Sequence, residues 1–98
     1  MNKLDVENMA IYARHLRNLR DKITTAKLLK ESREKRMDGH REIYPNMDEE
    51  KRKMLFFEEE RDAVKEVEQE YEETFSIGCE FGLLLPFSPT EIKDYINM

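Results

Sequence analysis

Between Met9 and Ala26, apolar residues recur at alternating spacings of three and four: Met9, Tyr12, Leu16, Leu19, Ile23 and Ala26. That spacing collects side chains on one face only if the chain is helical. A period near three and a half residues is what lets one helix lie lengthwise on another. A second run repeats the pattern with Met54, Phe57, Val64, Val67, Tyr71, Phe75 and Gly78. Two such stripes in 98 residues predict an all-α, coiled-coil-like hairpin of two antiparallel helices, with residues 1–98 forming one domain.

The boundaries follow from local chemistry. Asn2 suits a helix cap, and Asp5 and Glu7 place negative charge at the amino end, where the helix dipole favours it. Arg33, Lys35 and Arg36 supply cations to a last turn, and Gly39 is suited to terminate it in a left-handed conformation, which predicts a first helix over about 5–37. A loop over 38–45 follows, with Pro45 holding Tyr44 extended. Asn46 and Glu49 have the spacing of a capping pair that opens a second helix over about 46–85, which Pro86 stops. Gly78 and Gly82 are weak points in it. Ser88-Pro89-Thr90-Glu91 carries a serine cap, proline at the first helical position and glutamate at the capping-box position. It predicts a short helix over 89–96 that packs Ile92, Tyr95 and Ile96 onto the apolar block from Phe75 to Phe87.

Charge gives the two arms a reason to meet. Residues 1–41 hold 11 Lys or Arg against 6 Asp or Glu, a net of +5; residues 42–98 hold 6 against 16, a net of −10. Opposite charges flanking two seams select their pairing, although each exposed pair stabilises by only about 0–1 kcal/mol. A turn centred near residue 42 would set Arg14 near Glu70, Lys27 near Phe57, and Arg33 and Arg36 near Glu49 and Glu50.

Charged residues make up 40% of the chain and hydrophobic ones 39%, so a hairpin alone buries little, and association is expected. Met54 to Phe57 is four apolar residues in a row, which surrounds a helix instead of lining one side of it. The expected assembly is a homodimer in which two hairpins make a helical bundle, with Leu55, Phe56, Phe81 and Leu84 at the contact.

The same residues exclude several functions. One cysteine, Cys79, allows no disulfide framework, and with His15 and His40 it gives no zinc-type ligand set, so no metal or cofactor is expected. Cys79 itself reads as a small core residue, and His15 as a solvated one at the edge of the seam. The most apolar stretch, residues 75–87, is too short and too charged for a membrane span. With no signal peptide at its start, the chain is expected in the cytoplasm. No catalytic constellation stands out.

The acidic run from Glu58 to Glu73 carries Glu59, Asp62, Glu66, Glu70 and Glu73 at helical spacings on one face. That face either keeps the protein soluble or imitates nucleic-acid phosphates for a basic protein partner. Direct nucleic-acid binding is disfavoured by the net charge and by the lack of a phosphate loop.

Glu58-Glu59-x-x-Asp62, taken with Glu91-x-x-Asp94, resembles the paired acidic motifs of the all-helical nucleotide pyrophosphohydrolases. The resemblance covers those five residues, with Asp62 where that family has glutamate. It implies carboxylates on adjacent helices holding magnesium. The reading that accounts for most of the chain is a non-enzymatic protein–protein interaction module, a small adaptor or regulator with an unidentified protein partner. An acidic inhibitor imitating nucleic acid, of the phage or mobile-element type, is the alternative.

Overall fold

The computed structural model describes residues 3–82 and 88–97, and every regular element within them is an α-helix. These are α1 (Lys3–Glu31), α2 (Arg33–Ile43), α3 (Glu49–Phe81) and α4 (Pro89–Asn97). The chain forms a rod of 62 × 23 × 17 Å in which α1 and α2 run along α3 in the opposite direction. Arg33 meets Glu60, Arg36 meets Glu59 and Arg41 meets Glu49, so rising numbers on one arm face falling numbers on the other. The hairpin and the short last helix match the sequence reading.

The first arm is longer than its sequence suggested. Ser32 interrupts it, but the hydrogen-bond ladder passes through: the Ser32 amide donates to Leu28 O (2.9 Å) and the Arg36 amide to Ser32 O (2.9 Å). The Ser32 hydroxyl also donates to Leu28 O (2.7 Å), the back-bonding that bends helices. Arg36 completes the repair, with Nε donating to Ser32 Oγ (3.0 Å) and Nη2 to Leu29 O (2.7 Å).

The helix then continues past Gly39, which is not the expected left-handed terminator, because it sits inside α2 with an ordinary helical φ. Keeping one glycine in a helix costs only about 1 kcal/mol, less than abandoning the turn that follows it. The loop is therefore residues 44–48, not 38–45, and Tyr44 leaves the helix at φ −125°, ψ 69° ahead of Pro45. The turn centre moves from near residue 42 to near residue 46. That shift is why Arg33 and Arg36 find Glu60 and Glu59 instead of Glu49 and Glu50.

Asp48, not Asn46, occupies the cap position of α3, without a side-chain cap bond. The Glu49 carboxylate is drawn away by Arg41 and Arg52. The other end of α3 stops at Phe81, short of Leu85. There Gly82 adopts φ 72°, ψ 25°, and its amide donates to Cys79 O (3.2 Å). The capping box of α4 forms as its sequence predicts: the Glu91 amide donates to Ser88 Oγ and the Ser88 amide to Glu91 Oε2, both at 3.2 Å.

The core gathers Leu19, Ile23 and Ala26 of α1, Val67 of α3, and Ile92 and Ile96 of α4, flanked by Ala63, Val64 and Tyr71. Each large apolar side chain buried there stabilises by roughly 1.5–3 kcal/mol, so these contacts outweigh the ion pairs beside them. Helix α4 packs its Ile92 and Ile96 on this central cluster; most of the block expected to receive it, residues 83–87, lies outside the described residues. The predicted seam is buried at Tyr12, Leu19, Ile23, Ala26, Val67 and Gly78 but needs correction at Met9, Met54, Phe57 and Phe75, which remain exposed. The face of α3 turned inward instead runs through Phe56, Glu60, Ala63, Val67, Glu70, Thr74 and Gly78, with charged and polar residues in the seam itself. Asn2, the Tyr95 side chain and residues 83–87, including Leu84, lie outside the described residues.

Candidate functional site

The corner where α2 meets α3 is built around Arg52, a guanidinium only 1% exposed. Its Nε–H donates to His40 Nδ1 (3.1 Å) and its Nη2 to Tyr44 O (2.5 Å), while Nη1 reaches Glu49. Accepting from Arg52 places the His40 proton on Nε2. Arg41 grips Glu49 through both Nε (3.1 Å) and Nη2 (3.2 Å) and also bonds Asp38 (2.6 Å). The hydrogen bond from Arg41, reinforced by the charge of Arg41 and Arg52, holds the Glu49 carboxyl below the usual carboxylate range. His40 also lies 4.8 Å from Tyr44 and edge-on to Phe56 at 5.5 Å. His40 and Tyr44 thus brace the turn.

The apolar run around Phe56 divides. Phe56 turns toward α2, under His40 and with the Arg36 guanidinium 5.1 Å above its ring, so it is not the outward residue its sequence suggested. Met54, Leu55 and Phe57 remain 60%, 48% and 52% exposed, and Arg33 stacks 4.7 Å over the Phe57 ring. Met54 and Phe57 line a shallow depression with Glu58 and Arg61. Phe81 is half-buried at the far end of α3. A second concavity, of about 260 Å³, lies between α3 and α4, with Val64, Val67, Tyr71, Ile92, Lys93 and Ile96 among its walls.

The acidic row does not survive intact. Asp62, Glu66 and Glu73 are exposed as expected, and Glu59 is exposed but paired with Arg36 (3.0 Å). Glu70 is only 5% exposed and faces α1, where His15 Nδ1–H donates to its Oε1 (3.0 Å) and Lys22 Nζ to its Oε2 (3.4 Å). His15 is therefore an ion-pairing residue and not a solvated one. Cys79, expected in the core, is exposed. Near it, burial and secondarily the Cys79 thiolate push the Tyr12 phenol above its usual pKa.

Donor atoms of His15, Glu70 and Glu73 lie within 4.8 Å of one another. Sequence spacing could not reveal this trio, because His15 and Glu70 stand 55 positions apart. Glu58, Glu59 and Asp62 on α3 and Glu91 and Asp94 on α4 do not make up such a group among the described residues. Also among the described residues, no helix is long and apolar enough to cross a membrane. No family model matches the sequence, and no curated protein or solved structure matches the chain.

Proposed function

We propose that the chain is a non-enzymatic protein–protein interaction module, a homodimeric helical adaptor or regulator that works by covering a surface on a partner macromolecule. The observation that carries this reading is the exposure of Met54, Leu55 and Phe57 within about one turn of a helix whose inward face is already packed. Apolar side chains clustered in this way lose their contact with water when a second surface meets them, at about 25 cal/mol per Å². A second copy of the chain brings the same patch, and a two-fold axis sets patch against patch. In this proposal the homodimer contact centres on Met54, Leu55 and Phe57, with Phe56 behind it; of the other residues expected there, Phe81 sits at the far end of α3 and Leu84 lies outside the described residues.

Sedimentation equilibrium at micromolar concentration tests this assembly. The parent chain is expected as a dimer and Leu55→Glu or Phe57→Glu as a folded monomer, and a parent that sediments as a monomer refutes the assembly. The exposure of Asp62, Glu66 and Glu73 favours a second reading, an acidic surface imitating nucleic acid. Partner binding would then weaken steeply with salt and on reversal of those three charges, whereas an apolar contact responds to Leu55 and Phe57.

A further inference from the structure

We propose that His15, Glu70 and Glu73 form a binding site for a first-row divalent metal ion, zinc by donor chemistry, joining α1 to α3. Three observations converge on it. The first is the ligand set: an imidazole from one helix and two carboxylates from the other, all within 4.8 Å. A metal about 2.1 Å from each donor would draw these atoms to roughly 3.0–3.5 Å apart. His15 and Glu70 already stand at 3.0 Å, and Glu73 is exposed, so one change of rotamer closes the set. An imidazole in the set favours zinc, cobalt or nickel over magnesium or calcium, which prefer oxygen donors alone.

The second observation is charge. Glu70, Glu72 and Glu73 bring three negative charges to this end of the hairpin, and Lys22, 3.4 Å from Glu70 Oε2, returns one positive charge. The remaining two negative charges match a divalent cation. Glu70 is buried, so its charge is little screened by water and its attraction to a cation is correspondingly strong. Lys22 bonds the Glu70 oxygen that His15 does not use, which leaves Oε1 aimed at the imidazole and orients the carboxylate as an outer hydrogen bond does in established metal sites.

The third is access. His15 and Glu73 line an open concavity of about 530 Å³ together with Glu72, Ser76 and Ile77. Water or an external donor can therefore complete a coordination sphere to which the protein gives three ligands. With Nδ1 bound to the metal, the imidazole carries its proton on Nε2, so binding exchanges the N–H···O contact for a nitrogen–metal–oxygen bridge through a change of tautomer, with no net proton released.

The test uses the full chain stripped with a chelator and then titrated with Co²⁺, followed by visible d–d absorption, and with Zn²⁺, followed by calorimetry and thermal unfolding. One ion per chain, a d–d spectrum with nitrogen ligation and a higher unfolding temperature with Zn²⁺ are expected. His15→Gln and Glu73→Gln should each weaken binding roughly 10–100-fold or more, while Asp62→Asn on the same helix leaves it unchanged. Glu73→Gln changes an exposed side chain and leaves the packing intact, so loss of folding does not obscure the result. Absence of a Co²⁺ spectrum overturns the site, and so does binding that is equally strong in both variants.

Discussion

Replacing Arg52 by methionine isolates what holds the hairpin's turn. Methionine fills much of the volume of the arginine stem but donates no hydrogen bond. Besides the Nη1 contact to Glu49, an exposed carboxylate that Arg41 still holds, two contacts vanish, Nε to His40 Nδ1 (3.1 Å) and Nη2 to Tyr44 O (2.5 Å). A hydrogen bond from a charged donor contributes about 1.5–3 kcal/mol, so the gross loss is about 3–6 kcal/mol. Part of it returns, because the buried guanidinium no longer goes without water and the Tyr44 carbonyl, beside an exposed side chain, can turn to solvent.

A net destabilisation of about 2–3 kcal/mol remains, which lowers the unfolding temperature of a domain this size by roughly 10–20 °C. Arg52→Lys keeps the charge without the planar fork and should lose about half as much. Urea and thermal unfolding measure the size of the effect, and amide hydrogen exchange locates it. Tyr44 and Met47, whose amides bond His40 O (2.8 Å) and Tyr44 O (3.3 Å), should exchange faster while the amides around Val67 do not. An Arg52→Met chain within about 0.5 kcal/mol of the parent would refute the clamp, because surface-like substitutions fall in that range.

The glycines give a pair of predictions of opposite sign. Gly39→Ala should stabilise by about 0.5–1 kcal/mol, since a methyl group there meets nothing within 4 Å and the position is helical; Gly82→Ala should destabilise by about 1–2 kcal/mol, since φ is 72°. Thr74 is fully buried and its Oγ1 has no hydrogen-bond partner, so Thr74→Val is expected to raise stability by about 1 kcal/mol in chemical denaturation. Acid and alkali should act at opposite ends of the rod. The depressed Glu49 pKa contributes stability that is complete above about pH 4.5 and is lost as pH falls below it, which Glu49→Gln would abolish. The raised Tyr12 pKa contributes stability that is complete below about pH 10 and is lost as pH climbs further, which Tyr12→Phe would remove from the pH profile.

What could be read in the sequence depended on how far apart the interacting residues were. The capping box of α4 involves residues three apart, and Ser88 and Glu91 announced it. The hairpin needed only the sum of local tendencies: two stripes, a proline and two opposite charge balances. The position of the turn did not follow, because Gly39 presents the same local signal whether a helix ends there or runs on. What carries the helix on to Ile43 is the grip of Arg52 on His40 and Tyr44 and of Arg41 on Glu49, and those contacts exist only once α3 has folded back. Moving the turn by about four residues altered which side chains face each other: the α1 stripe kept Tyr12, Leu19, Ile23 and Ala26 inside, whereas on α3 Met54, Phe57 and Phe75 turned outward. The metal-type trio was illegible for the same reason, since nothing near His15 in sequence points to Glu70.

The buried charges explain why one register wins. A seam with a repeat of seven residues looks nearly the same after a slip of one heptad, so apolar matching alone distinguishes the native pairing from its neighbours only weakly. Glu70 breaks that degeneracy. It is buried against His15 and Lys22, which are themselves seven residues apart, and both of its oxygens are satisfied at once. A slip of one heptad either way would leave it at most one of these partners, and stranding a buried carboxylate costs about 3–5 kcal/mol. Glu60 and Glu59, held by Arg33 and Arg36, repeat the constraint nearer the turn, where Arg52 already fixes the loop. Leu19, Ile23, Val67 and their neighbours thus supply the cohesion of the rod. The charged residues set into its seam determine which of several similar rods forms, and with it which carboxylates remain outside.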